Sequence, residues 1–412
     1  MHNPDTHSNT RLYTQRQDKI VAVAGLIVLS LALRPAIVSI GPVLLLIRER
    51  FELSYSQASL LTTIPDICMG VFALLAPRVA GKFGVDRSIV GALALLGVAV
   101  VGRAMAPSVL LLLTCTTLVG IGIAISGALI GGWIKSHFPG HAAFFVGIYA
   151  GGLSIGATIA AVFTEPLARL MSSWRGGAGA WSILCVTGIM SWMVLAKRFN
   201  NRASGSSQQL PVSHALPWRN LEAWLIAGYF GFSQFVLYAL FAWLAPAARE
   251  MKISTLQPGI LLGLFTLVFA AACLGMGALP TKAHDRRIWL AASSAIAAAG
   301  IAAMTFAPNG FPTLSVVVMA AGLGMAFTLG MTLPLDYVAT AHEAGSWTVF
   351  TLFIGYLIAA LGPFCFGTLR DHTGSYARPF LLLFAILFLM LCMTPALRPT
   401  RTASQKNAIA AA

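Results

Sequence analysis

The chain has 412 residues, 58% of them apolar and only 10% charged, against about 25% charged in an average soluble domain. With a mean hydropathy of +0.81, this excludes a soluble globular protein and predicts an all-α membrane protein. The net charge of +14 is scattered between apolar runs and forms no stripe, which argues against a nucleic-acid partner and makes the basic residues topology signals.

A bilayer crossing takes roughly 20 apolar residues. Such stretches occur at 20–47, 56–79, 88–107, 109–134, 142–165, 179–199, 219–246, 258–280, 288–307, 313–336, 346–368 and 379–397. They predict twelve transmembrane helices in two pseudo-symmetric six-helix bundles around a central cavity. Residues 1–19 form a polar N-terminal tail, with no small-residue cleavage site after it, so the first span is expected to be retained. Residues 20–199 form the first bundle and 219–397 the second. Between them lies NNRASGSSQQLPVSHALPW (200–218), read as a flexible linker. Residues 398–412 are a second tail.

In chain order, the first unusual feature is Arg34, followed at once by Pro35. It lies 14 residues into span 1, about 21 Å deep at ~1.5 Å per residue, near the bilayer midplane. A permanent charge there costs roughly 2.5–3.5 kcal/mol and must face the interior with a partner. Such a planar cation suits a small anion, and the proline beside it forces local irregularity. Span 2 carries Asp66 at similar depth in TTIPDIC. Two roles stay open for it. It forms a buried ion pair with Arg34 that only holds the structure, or it exchanges a proton and so couples proton and anion movement.

Span 5 reads GIYAGGLSIGAT, in which Gly147 and Gly151, and Gly152 and Gly156, are spaced for close helix packing. Tyr149 is a cavity candidate within it. Span 7 puts Gln234 and Tyr238 on one helix face, with Phe230, Phe241 and Trp243 adding aromatic surface. Cavity lining and ordinary packing are both open for this group, and Trp243 can equally be an interfacial anchor. Tyr356 of span 11 is a further cavity candidate. Glu165, Glu222 and Asp336 sit near span ends as solvated or gate-pairing groups, Asp336 facing Lys135. The cysteines have no CxxC spacing, the histidines lie in tails or loops, and no GxxxxGK[ST] loop is present. No metal, cofactor or enzymatic chemistry is therefore expected.

With both termini cytoplasmic, 17 basic residues fall inside, 9 outside and 1, Arg34, within a span. The positive-inside rule favours that orientation. The halves also match. APRVAGKFGVDRS (76–88) and ALPTKAHDRR (278–287) each place Asp-Arg just before the next span, at Asp86-Arg87 and Asp285-Arg286, offset by 199 residues. Such repeats build many secondary transporters.

GKFGVDR between spans 2 and 3 resembles the loop signature of the major facilitator superfamily. LRPAIVSIGPVL (33–44), LLTTIP (60–65), FAWLAP (241–246) and GYLIAALGPFCFGTLRDHTGSY (355–376) resemble its cyanate permease and nitroimidazole transporter branch. The resemblance implies a monomeric carrier in the bacterial inner membrane, working by alternating access without ATP. It implies a cytoplasmic gate at Gly81, Asp86 and Arg87, with Asp285 and Arg286 as a weaker counterpart because Pro280 replaces the second glycine, and Asp336 with Lys135 would be a pseudo-symmetric tie on the same side. Asp66 departs from the branch, which is apolar after that proline, and a carboxylate there competes with an anion for Arg34. The expected function is proton-coupled transport of a small anion such as cyanate, with substrate contacts from Arg34, Gln234, Tyr238, Trp243, Tyr149 and Tyr356. The alternative is export of a neutral aromatic such as a nitroimidazole.

Overall fold

The computed structural model describes residues 4–138, 141–200, 216–252, 256–278, 286–338 and 341–398. Twelve helices in it are long and apolar enough to cross a membrane. Spans 1 to 6 are Lys19–Phe51, Tyr55–Phe83, Val85–Met105, Val109–Ile134, Phe144–Leu170 and Trp174–Phe199. Spans 7 to 12 are Leu221–Met251, Pro258–Ala278, Arg287–Phe306, Pro312–Tyr337, Gly345–Thr373 and Ala377–Ala396. Most of the linker, 201–215, and most of the C-terminal tail lie outside the described residues.

Local chemistry sets several boundaries. Ser54 starts span 2 with a capping box, its hydroxyl accepting from Gln57 N–H while the Gln57 side chain takes the Ser54 N–H. Asn220 caps span 7 through Glu222 and Ala223. The turn between spans 2 and 3 is Gly84, with φ of 84°, a conformation glycine adopts without strain. Three expected boundaries move. Helix begins at Pro4, so much of the expected N-terminal tail prolongs span 1. Span 7 runs through Pro246 to Met251. Span 6 starts at Trp174 and is broken near Ala180, between Trp174–Gly179 and Ser182–Asn200.

The two halves repeat their packing as well as their sequence. Span 4 lies on span 3 at Gly122, where a Cβ would be 2.8 Å from the Ala92 carbonyl oxygen. Span 10 lies on span 9 at Gly322, where a Cβ would be 2.7 Å from that of Ser293. The halves meet where span 2 packs on span 11, span 5 on span 8 and span 1 on span 7. Span 7 is the most enclosed, with 83% of its apolar window buried. Side chains such as Val98, Leu110, Ile183 and Phe388 stay exposed on the outside of the bundle, the surface hydrocarbon would cover.

Candidate functional site

Span 1 breaks where the sequence places Arg34. Helix stops at Leu33, a short turn runs Pro35–Val38, and helix resumes at Ile40. Proline has no N–H to continue the ladder. The Ile37 and Val38 N–H groups both donate to the Arg34 carbonyl at 3.1 Å. Gly152 and Gly156 of span 5 pack against this region, facing Ser30, Leu31 and Pro35. The other glycine pair does not pack: no atom lies within 4 Å of a Cβ built at Gly147 or Gly151.

The break turns the Arg34 side chain toward the second half. Its Nη1 donates to the Tyr238 hydroxyl at 2.8 Å. The guanidinium carbon lies 5.7 Å from the Tyr238 ring centre and 5.9 Å from that of Phe241, within cation–π range. Tyr238 is fully buried and packs against Phe241 and Tyr356, with ring centres 5.5 and 6.1 Å away. Tyr356, Asp66 and Tyr149 lie within electrostatic reach of Arg34. A cavity of about 90 Å³ opens beside the guanidinium, lined by Gly151, Phe241, Thr266, Phe269, Cys273 and Phe327 among others. It lies on the seam between the halves, where the Thr158 and Thr266 hydroxyls meet at 2.8 Å.

Asp66 shares the region but makes no ion pair with Arg34. It is 0% exposed, and neither carboxylate oxygen has a hydrogen-bond partner. The purely structural pair weighed from the sequence is therefore not formed; Tyr238 takes its place. Gln234, one turn before Tyr238, is buried with its amide oxygen unpartnered. Trp243 lies away from the cavity. Its Nε1 donates to the Pro363 carbonyl at 3.0 Å and its ring stacks on Phe366, so it is core.

The residues expected at a cytoplasmic gate are spread over several elements. Gly81 is exposed within the helix of span 2, and a Cβ there would meet nothing. Asp86 is half-buried in the first turn of span 3, and Arg87 is exposed. Asp285 and the side chain of Lys135 lie outside the described residues. Asp336 pairs with Arg286 at 3.1 Å, and Arg286 also donates to Thr332 at 2.6 Å. This tie joins spans 9 and 10 of one half.

Among the described residues, a further set of ties between the halves stands at the end away from the termini, and sequence reasoning missed most of it. The Tyr55 and Ser56 N–H groups, at the start of span 2, donate to the Asp371 carboxylate at 2.8 Å each. A carboxylate from span 11 thus caps a helix whose first N–H groups lack intrahelical acceptors. The Tyr55 hydroxyl donates to Glu250 at 2.9 Å, and within the second half Arg370 donates to the same carboxylate at 2.9 Å. Arg48 and Arg370 lie 4.0 and 4.7 Å from the Tyr55 ring centre. Glu165 binds both Arg169 and, across the seam, Arg249. The available signal was the scarcity of acids, 13 in the chain. Each acidic span end is a candidate tie, and the sequence singles out Asp86, Glu165, Glu222, Asp285 and Asp336 but not Glu250 or Asp371.

A twelve-span bundle of two repeated halves with a charged, proline-broken helix at their seam is the architecture of a secondary transporter. The chain belongs to the Major Facilitator Superfamily, whose profile matches residues 23–363; this family comprises membrane transporters, not enzymes. The cyanate transport protein CynX of Escherichia coli (strain K12) is 31% identical over 351 residues, 85% of this chain and 90% of that one. The 2-nitroimidazole transporter of the same organism is 28% identical over 377 residues, covering 92% and 95%. The uncharacterized transporter YycB of Bacillus subtilis (strain 168) is 26% identical over 371 residues, covering 89% and 91%. Among solved structures, a bacterial homologue of the human lysosomal transporter Spinster, inward-facing and occupied, superposes with a TM-score of 0.70. It is 17% identical, and the match covers 93% of this chain and 98% of that one. At that identity the likeness concerns the fold.

Proposed function

We propose that the protein is a proton-coupled secondary transporter of a small anion of the cyanate class, working by alternating access with both termini cytoplasmic. The observation that carries this reading is Arg34. It is a permanent cation in the middle of a span, paired with a neutral hydroxyl and no carboxylate, beside a cavity between the halves. An anion completes such a group, whereas a neutral ligand leaves it without a counter-charge. The cavity's modest volume suits a solute of a few atoms. Asp66, close by and without a hydrogen-bond partner, is the group we assign to proton exchange. The name of the 31% identical relative supports the choice of cyanate.

A second reading is export of a neutral aromatic such as a nitroimidazole. The phenylalanine walls of the cavity, Phe241, Phe269 and Phe327, favour it, as does the name of the 28% identical relative.

The deciding experiment is melting of the purified protein with cyanate, nitrate, bicarbonate, small carboxylates and nitroimidazoles, for wild type and Arg34→Gln. A ligand at a hundredfold excess over Kd stabilises the folded state by about 2.7 kcal/mol. Stabilisation by one anion that disappears in a well-folded Arg34→Gln supports anion transport. Stabilisation by a nitroimidazole that survives the substitution selects the second reading.

A further inference from the structure

The bundle holds a second arginine at the level of the break in span 1, and it belongs to a different helix. Arg103 lies near the end of span 3 with 1% of its surface exposed. Its Nη2 donates to the Ala36 carbonyl at 2.8 Å. Nε and Nη1 are buried without hydrogen-bond partners, and among the described residues no carboxylate pairs with it. A buried guanidinium spent on one backbone carbonyl is an expensive way to fill space, since a leucine would pack there without desolvating a charge.

The position of that carbonyl explains the expense. Ala36 belongs to the short turn Pro35–Val38, two residues after Arg34. The helix is interrupted on both sides of the turn, at Arg34 and at Ser39, and the turn keeps three backbone bonds of its own, from Ile37 and Val38 to the Arg34 carbonyl and from Ser39 to that of Pro35, too few to hold so short a piece alone. Support comes from outside. On one side Gly156 of span 5 presses close, where a Cβ would lie 3.0 Å from the Leu31 carbonyl oxygen and 3.4 Å from Pro35 Cδ. From span 3 comes the Arg103 hydrogen bond, and span 3 is itself fastened beside it. Arg175, at the start of span 6, donates to the Ala104 and Ala106 carbonyls at 2.7 and 2.9 Å. A continuous series of contacts runs from Arg175 through the end of span 3 and Arg103 to Ala36, and from there through two residues of backbone to the Arg34–Tyr238 hydrogen bond.

We propose that Arg103 is a positioning residue: its hydrogen bond to Ala36 fixes the break in span 1 and thereby aims Arg34 at Tyr238 and the cavity. Its consequence for substrate affinity rests on the assignment of Arg34 as the anion-binding group; its consequence for the backbone does not. A charged donor holds a carbonyl more firmly than a neutral one. Lysine retains the charge and a donor, whereas methionine retains only an unbranched apolar stem.

Two readouts test this. Hydrogen–deuterium exchange without ligand is followed over peptides covering 31–41 and 90–105 in wild type, Arg103→Met and Arg103→Lys. Uptake of labelled cyanate is measured in liposomes for the same proteins and for Arg34→Gln. Arg103→Met is expected to speed exchange over 31–41 about tenfold while 90–105 changes little. It is also expected to raise the KM for cyanate about tenfold, because a hydrogen bond stretched by about 1 Å is no longer one, with the maximal rate per folded carrier retained. Arg103→Lys should restore most of both. If 31–41 exchanges as in wild type, or if both peptides loosen together, Arg103 is a packing residue and the proposal is overturned. If Arg103→Met does not fold, Arg103→Gln and Arg103→Lys supply the comparison. If Arg34→Gln leaves cyanate KM unchanged, the anion assignment fails, and the exchange data alone decide the role of Arg103.

Discussion

A guanidinium cannot be switched off by pH, but a carboxylate can, and this carrier keeps one of each in the same buried region. Arg34 is anchored by the Tyr238 hydroxyl, and Asp66 has no donor on either oxygen. If Asp66 carries the coupled proton, Asp66→Asn fixes position 66 in the equivalent of its protonated, neutral form. The variant is expected to keep exchange of labelled for unlabelled substrate, while the acceleration given by an imposed pH gradient falls to the gradient-free rate. Liposomes loaded at two pH values measure this, and full acceleration in the variant would remove Asp66 from the coupling step. The residue scale also explains why Trp243 and Tyr238 part company. They are five positions apart on one helix, so they point to different faces. Tyr238 faces Arg34, and Trp243 faces Phe366.

Span 1 is the element whose shape the site depends on. A straight helix through 31–41 would carry Arg34 in a direction set by its neighbours' turns. The break at Pro35 releases it from that constraint. Pro35→Ala restores a backbone donor and favours a continuous helix, so we expect melting to rise, by no more than the ~3 kcal/mol that an interior proline costs a helix, and substrate affinity to fall. Thermal melting together with the KM for uptake checks both parts. A variant that melts higher with an unaltered KM would mean that the break does not aim Arg34. Span 2 shows the same dependence on partners at its start, where two N–H groups are taken by Asp371 from the other half. Its helix is therefore best capped only when the halves are together at that end.

At the scale of the whole molecule, the halves are closed against each other at the end away from the termini. Polar ties hold that end, and so does close backbone contact. A Cβ at Gly41 would lie 2.5 Å from the Phe241 carbonyl oxygen, and one at Gly367 would lie 2.6 Å from that of Tyr55. Backbone cannot move aside as a flexible side chain can, so Gly367→Val acts as a wedge between spans 2 and 11. Spin labels at Leu170 and His372, on opposite halves at this end, should report a longer distance in Gly367→Val than in the parent. An unchanged distance would show that the closure tolerates the added methyls. A recess of about 750 Å³ at the same end collects Arg50, Arg169, Arg175, Arg249 and Lys252 around Glu165. These are among the basic residues that the positive-inside count assigned to the outer side.

The amino-acid sequence by itself determined the number of spans, the two-half repeat and the mid-span position of Arg34. Each follows from the energy of placing apolar, charged or proline residues in a bilayer, and that energy depends on position along one helix. The tertiary structure decided which residues meet. Arg34 was legible because a lone charge in an apolar run is conspicuous, but its partner was not. Tyr238 and Asp66 both lie at the right depth, and the choice between them turns on the rotation of spans 2 and 7 about their axes. Arg103 was not singled out because it stands near a span end, where an arginine ordinarily reaches water; only packing against the break in span 1 makes it a buried donor. The ties from Tyr55 and Ser56 to Glu250 and Asp371 were equally hidden, because they join residues up to 316 positions apart whose proximity exists only once the two halves have docked.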